Sequence, residues 1–472
     1  MIVDSVAIVY LRIPNSEFLI PMIDDAVAHL RRMIQIDTTN PPGNELPLAK
    51  YIERTLSAAG VETQLFEPVT GRAHLIGRLR GDGSAPPILI TAHMDVVGVE
   101  RESWSVDPFG GEIRHGALYG RGAIDDKGML AANLAAMLAA KRDVDAGRLR
   151  LRRDVIFAAT SDEETGGAYG LGWMIANHPD AIRAEYALNE GGRIRIVDGK
   201  PLYAAVQTTE KAAHVVTITA HGPSGHASVP LAGNAVARLA RAVAIVTAHQ
   251  EPVRLIPTVR EFFARLSAIW PEANVAAAMR DVGADDKSVA ERGYAELCRL
   301  PMYNAVLRTG ISATVMSAGM RHNVIPAEAT ATLSVRTLPR DSIDDVVHRL
   351  QAMVADDAVT IAVTSRGTDA PASDHQSPMF AAIRDAVTSL DPSIVTVPYM
   401  STGATESAQL RAWGVQTFGL LPFPLDADDE SRMHGNDERV PLNSLEFGTR
   451  LVFDVVRRMA VIPSEARNLT SW

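Results

Sequence analysis

Three short apolar runs in the first half of the chain each end in side chains that bind protons or cations, and this repetition constrains the fold more than any other feature. Ile88-Leu89-Ile90-Thr91-Ala92 leads into His93-Met94-Asp95. Val155-Ile156-Phe157-Ala158-Ala159-Thr160 leads into Ser161-Asp162-Glu163-Glu164, and Tyr186-Ala187-Leu188-Asn189 into Glu190-Gly191-Gly192. Apolar runs this short read as strands buried on both faces. Alanine-rich stretches at 129–141 and 169–177 separate them with helical composition. Strand alternating with helix predicts an α/β fold: a mostly parallel sheet covered by helices on both faces. In such sheets the site lies beyond the carboxyl ends of the strands, where all three runs deposit their ligand-type residues.

The rest of the chain gives the domain organisation. Ile23, Val27, Leu30 and Ile34 recur at helical spacing, and the helix must end before Thr38-Thr39-Asn40-Pro41-Pro42-Gly43. A second helix is predicted over 46–59. From about Thr209 the pattern changes to strands at 215–220, 311–316, 329–335 and 359–364 and helices at 235–248 and 343–354. This predicts an inserted α+β domain over 209–369, a lid, with a helical elaboration at 251–307. The catalytic domain is then discontinuous, 1–208 and 370–472, with a late strand at 415–421. No internal repeat is present.

Composition narrows the function classes. The chain has 472 residues, 47% of them hydrophobic and 22% charged, which is globular rather than disordered. Its net charge is −10 and no Lys/Arg cluster stands out, so nucleic acid is not expected as a partner. With one cysteine, Cys298, the chain forms no internal disulfide, and a thiolate zinc site is excluded. Any transition-metal site must use His, Asp and Glu. Residues 2–13 are apolar but too short to span a bilayer, and they lack a basic start and a small-residue cleavage site. An extra edge strand or a misplaced start is expected there, with no membrane partner and a cytoplasmic location. The tail after Ala460 has no period and is expected to fray.

Taken singly, each motif has an ordinary reading. His93-x-Asp95 fits a surface turn, Gly120-Arg121-Gly122-Ala123-Ile124-Asp125-Asp126 a helix start, and Asp162-Glu163-Glu164 a solvated acidic run. Together they meet a specific demand. A two-metal hydrolase needs two imidazoles, a bridging carboxylate, a terminal carboxylate on each metal and a free carboxylate to activate water. His93, Asp125, Glu164, Glu190, His434 and Glu163 supply that set.

This ordered series resembles the di-zinc metallopeptidases of family 20, which include aminoacylase, glutamate carboxypeptidase, succinyl-diaminopimelate desuccinylase, acetylornithine deacetylase and carnosine dipeptidase. The resemblance runs from about Ile23 to Met459. It continues through Gly222-Pro223-Ser224-Gly225-His226, Asn323-Val324-Ile325-Pro326, Val335-Arg336-Thr337-Leu338-Pro339 and His434-Gly435. Asn189-Glu190-Gly191-Gly192 places it nearest the long-chain carboxypeptidase and N-acyl-amino-acid hydrolase branch.

The resemblance implies that His93, Asp125 and Glu190 hold one zinc and Asp125, Glu164 and His434 the other, with cobalt or manganese as substitutes. It implies Asp95 as the orienter of His93, Glu163 as general base, and Arg336 and Asn323 as holders of the substrate's carboxylate and amide oxygen. It further implies a cis peptide between Asp125 and Asp126, and a homodimer through the lid in which His226 reaches the partner's site. The expected substrate is an N-acyl amino acid or short peptide with a free carboxylate. Gly403-Ala404-Thr405-Glu406 departs from the family's Gly-Gly-Thr-Asp, which bears on substrate selection. Two rivals stand beside this reading: a dipeptidase requiring a free amino terminus, and a non-catalytic binding relative on the same fold. The complete set, base included, favours an enzyme.

Overall fold

The computed structural model describes residues 16–461, with side chains from Pro21 onward. The expectation for residues 2–13 lies outside them. So does most of the tail after Ala460, although its first residue, Val461, is buried and bridges to Leu151. Two compact units divide the chain. One comprises the chain up to Pro201, Pro378–Ile394 and the chain from Leu421 onward; the other comprises Leu202–Ser377 and Val395–Leu420.

The first unit is built on strands β1 (Glu62–Val69), β2 (Arg72–Leu79), β3 (Ile88–His93), β4 (Val155–Thr160) and β5 (Tyr186–Val197), hydrogen-bonded in the order β1-β2-β4-β3-β5. β3 runs parallel to β4 from Ile88↔Val155 to His93↔Thr160, and parallel to β5 from Ile88↔Tyr186 to Ile90↔Leu188. The hairpin β1–β2 adds an antiparallel edge, with β2 against β4. Every residue of β3 and β4 is buried, whichever way its side chain points, so both faces of these strands are covered.

The helix Lys127–Asp145 packs on β3 and against the helices Ser16–Ile34 and Leu442–Ala460. Residues 127–140 of this helix are all buried, which its alanine-rich sequence permits because small side chains let neighbours approach from every side. Each buried Leu or Met contributes roughly 1.5–3 kcal/mol to the unit. β5 departs from the expected pattern. It does not stop at Asn189 but continues through Glu190 to Val197, because Ile194 turns inward while Arg193 and Arg195 on the other side pair with Glu430. Glu190 therefore sits within a strand, just past the last parallel pair with β3.

The second unit has an antiparallel sheet in the order Gly310–Ala318, Glu328–Thr337, Ala212–His221, Val359–Ser365. Helices Ala235–Ala248 and Ile343–Val354 cover one face through Leu239, Val246, Val346 and Leu350. The stretch 251–307 forms four helices, Pro257–Leu266, Ala273–Asp281, Lys287–Leu297 and Pro301–Leu307. Their core includes Phe262, Phe263 and Tyr303 together with Tyr203, Val397 and Met400 from the strands Lys200–Glu210 and Val395–Ser401. That shared core is why 202–208 and 395–420 group with the second unit, whereas the expected boundaries lay at 208/209 and 369/370. Among the described residues, no helix is long and apolar enough to cross a membrane.

Candidate metal centre

His93 closes β3 and is 1% exposed. Its Nδ1 lies 2.9 Å from the backbone oxygen of Asp95 and 3.6 Å from the Asp95 carboxylate, so the nearer partner is the carbonyl. The Asp95 carboxylate does further work. It accepts from Asn40 Nδ2 (2.8 Å) and from the amides of Glu163 (3.2 Å) and Glu164 (3.0 Å). Asp95 thus ties the end of β3 to the acidic turn after β4. Burial pushes its carboxyl up, but the His93, Asn40 and Glu164 contacts outweigh this and bring it down to about 2.

Asp125 arrives on a turn that only glycine permits. Gly122 has φ +87°, and a Cβ there would stand 2.8 Å from Val96 Cγ1. The Asp125–Asp126 peptide is cis, and the helix Lys127–Asp145 comes directly after it. The two oxygens of Asp125 face different imidazoles: Oδ1 is 3.0 Å from His93 Nε2, and Oδ2 is 3.1 Å from His434 Nε2. Glu164 Oε1 stands 3.3 Å from His434 Nε2. His93, Asp125 and Glu164 each offer an atom within 4.8 Å of the others. Residues from four separate stretches of the sequence thus meet at one point.

The electrostatics describe a centre short of positive charge. Burial would discharge His93, yet hydrogen bonds to Asp125 and Asp95 hold its pKa well above the ordinary imidazole value. The Asp125 and Glu164 carboxylates raise His434 to about 10. Burial, reinforced by the charge of Asp125, raises Glu190 to about 8. Asp125 itself is held far below the usual range: burial opposes this, and the two histidines prevail. Protons here occupy the places of cations. Glu164 Oε1 is buried and makes no hydrogen bond, since its contact with His434 has ion-pair distance without hydrogen-bond geometry. A buried oxygen with a spare lone pair, beside two imidazole nitrogens and further carboxylates, fits a divalent cation.

Some supports are invisible to motif reading. Asn40, by sequence only one residue of a proline-rich loop, donates to Asp95, Asp162 (3.1 Å) and Thr165 (3.1 Å). Arg72 pairs with Glu45 (2.8 Å) and Asp162 (2.9 Å) behind it.

The remaining expected residues belong to the second unit. His226 and Val324 are opposite each other in a two-stranded ribbon, and Ala227 N donates to the carbonyl of Asn323 at 3.1 Å, so His226 and Asn323 are neighbours. His226 is exposed, and its Nδ1 accepts from the Ser228 amide at 3.1 Å. That bond leaves the proton on Nε2. Arg336 is half-buried on the strand Glu328–Thr337, its Nε 3.4 Å from Ser334 Oγ.

Comparison with known proteins decides the family. The model of peptidase family M20/M25/M40 matches residues 89–458, more than half of the chain. The chain belongs to this family. Human N-fatty-acyl-amino acid synthase/hydrolase PM20D1 is 28% identical over 448 residues, covering 91% of this chain and 86% of that protein. Human aminoacylase-1 is 25% identical over 455 residues, covering 93% and 97%. Among solved structures, the M20 family metallo-carboxypeptidase Sso-CP2 from Sulfolobus solfataricus superposes with a TM-score of 0.71 at 18% identity, covering 92% of this chain and 99% of that one. That likeness is one of fold, and it agrees with the central mostly parallel sheet. Membership makes the protein a hydrolase of a metallopeptidase and amidohydrolase family.

Proposed function

We propose that this protein is a two-metal amide hydrolase that releases the acyl group from N-acyl amino acids or the last residue from short peptides. One observation carries the reading: a single carboxylate, Asp125, presents one oxygen to each of two histidines. His93, Asp125 and Glu190 would hold one ion, and Asp125, Glu164 and His434 the other; zinc suits these donors, as do cobalt and manganese. A bound pair of this kind lowers the pKa of water and polarises a carbonyl oxygen. Glu163 would take the proton from the attacking water and return it to the leaving nitrogen. Its amide is fixed by Asp95, which keeps the base in register with the ligands.

Arg336 would bind the substrate's free carboxylate, since its planar fork matches two oxygens. Asn323 and His226 would donate to the amide oxygen. The protonated Nε2 that Ser228 leaves on His226 supports that role. The names of the two human relatives, an N-fatty-acyl-amino acid hydrolase and an aminoacylase, favour N-acyl amino acids among the candidates. The lid unit is proposed to dimerise. Its sheet ends in the edge strand Gly310–Ala318, where Val315 and Met316 are more than half exposed. A single cysteine suits the cytoplasm as the proposed compartment.

Two experiments test this. Apoenzyme reconstituted with zinc, cobalt or manganese and assayed on N-acyl amino acids and dipeptides should cleave the former; turnover of dipeptides alone would favour a dipeptidase. Mixing the inactive variants Glu163→Gln and His226→Ala should restore about half the activity of each mixed dimer if His226 serves the partner's site. No recovery, with exchange confirmed by mass, would remove the trans arrangement.

A further inference from the structure

The two residues that close the centre, Asp125 and His434, come from distant parts of the chain, and a single buried ion pair holds both of their loops. Glu438 is fully buried. Its Oε1 accepts from the amides of Ile124 (2.8 Å) and Asp125 (3.0 Å); its Oε2 accepts from the amide of Gly122 (3.1 Å) and from Arg121 Nη1 (2.6 Å). Its own carbonyl accepts from the Gly120 amide at 2.9 Å. A carboxylate has about four acceptor sites, and here all are taken by the turn that delivers Asp125. Arg121, 2% exposed, then reaches the other way. Its Nη2 donates to the carbonyls of Gly435 (2.9 Å) and His434 (3.2 Å), with the Trp104 ring 5.3 Å from the guanidinium.

We infer that Glu438 and Arg121 are positioning residues that set the separation of Asp125 and His434, and through it the affinity of the centre for divalent ions. The inference rests on the two-metal reading under Proposed function. Three backbone amides converge on one carboxylate, the kind of concavity that selects an anion. A carboxamide of the same shape offers one acceptor oxygen and turns an N–H toward the remaining donors, so the turn must shift. The pair is neutral overall, and therefore acts by geometry rather than by adding field at the metals. His434 needs this support because its imidazole is half exposed and its backbone has φ +60°. Outer residues that orient metal ligands typically matter by 10–100-fold in affinity.

The test titrates the full-length metal-free protein with cobalt(II), reading the dissociation constant by calorimetry and the ligand field by the visible spectrum. Glu438→Gln should bind 10–100-fold more weakly than wild type and show an altered spectrum. Arg121→Lys, which keeps the charge but loses the grip on His434 and Gly435, should move both readouts in the same direction. Asp154→Asn is the matched control: directly before β4, that carboxylate also holds an amide, Gly81 at 2.9 Å, and an arginine, Arg78 at 3.0 Å. It should lose thermal stability while binding cobalt as wild type does. Wild-type affinity and spectrum in Glu438→Gln, or in Arg121→Lys should Glu438→Gln not fold, would overturn the inference. A weakening in Asp154→Asn equal to that in Glu438→Gln would overturn it too, by showing a general effect of instability. Wild type that binds no cobalt would sink the two-metal reading itself, an outcome visible before any variant is compared.

Discussion

His93 and His434 face the same carboxylate from unlike surroundings. His93 ends a central strand, its side chain 1% exposed, one ring nitrogen tied to a backbone carbonyl and the other to Asp125. His434 sits on a loop between the helix Ala427–Ser431 and the strand Arg439–Pro441, its side chain 51% exposed and its backbone left-handed. The core builds one half of the centre; a surface loop lays the other half over it. Stability and metal affinity should therefore separate at the second histidine and coincide at the first.

The largest effect belongs to the half made by the sheet. Glu163→Gln should lower kcat by roughly 10² to 10⁴ or more while metal content, measured by mass spectrometry, stays at the wild-type level. Near-normal turnover would move the base to another residue and leave the acidic turn after β4 as a mere ligand holder.

The next prediction sets the two histidines directly against each other. His93→Ala leaves one Asp125 oxygen and the Asp95 carbonyl buried without their imidazole partner and should destabilise the metal-free protein by about 1–3 kcal/mol. His434→Ala, at a half-exposed loop position where solvent screens its pairs with Asp125 and Glu164, should cost less than His93→Ala. Both should bind metal poorly. Urea denaturation of the apo forms measures the difference, and equal losses would erase the distinction between a core half and a loop half.

A smaller effect appears in the pH dependence. Glu190, raised from the usual 4.5 to about 8, keeps a proton in the folded apo protein that the unfolded chain has released. Apo stability should fall as pH rises between these values. His434, raised from 6.5 to about 10, contributes stability that is complete below 6.5 and lost as pH rises through about 10. Asp95 has the opposite sign: lowered from 3.8 to about 2, it contributes above 3.8 and loses that as pH falls through 2. Metal displaces the first two protons, so the loaded protein should lack the alkaline decline and metal affinity should rise with pH. Thermal melts of apo and loaded protein across pH 5 to 9 check this; parallel curves would contradict it.

Much of the first half of the centre is legible in the sequence because a buried strand of this kind is a continuous apolar run, and polar residues at its end are conspicuous. His93 and the Asp162-Glu163-Glu164 turn stand at strand ends for that reason. Glu190 is recognisable as a residue but not as a mid-strand one, since the alternation that continues β5 to Val197 is carried by arginines whose partner, Glu430, is remote in sequence. The hairpin β1–β2 gives no such cue, because β1 alternates only loosely. Asn40 and Glu438 show no role in the sequence because they donate to or accept from groups far along the chain. Spacing records neighbours on one element, not partners brought together by folding.

The claim that one carboxylate joins a core half to a loop half is tested most directly by anomalous diffraction at the zinc edge from crystals of zinc-loaded protein. The expected result is two peaks per chain, about 3.5–4 Å apart, with Asp125 between them, His93 on one and His434 on the other. A single peak, or two peaks with His93 and His434 on the same ion and Asp125 bound to neither, would contradict it.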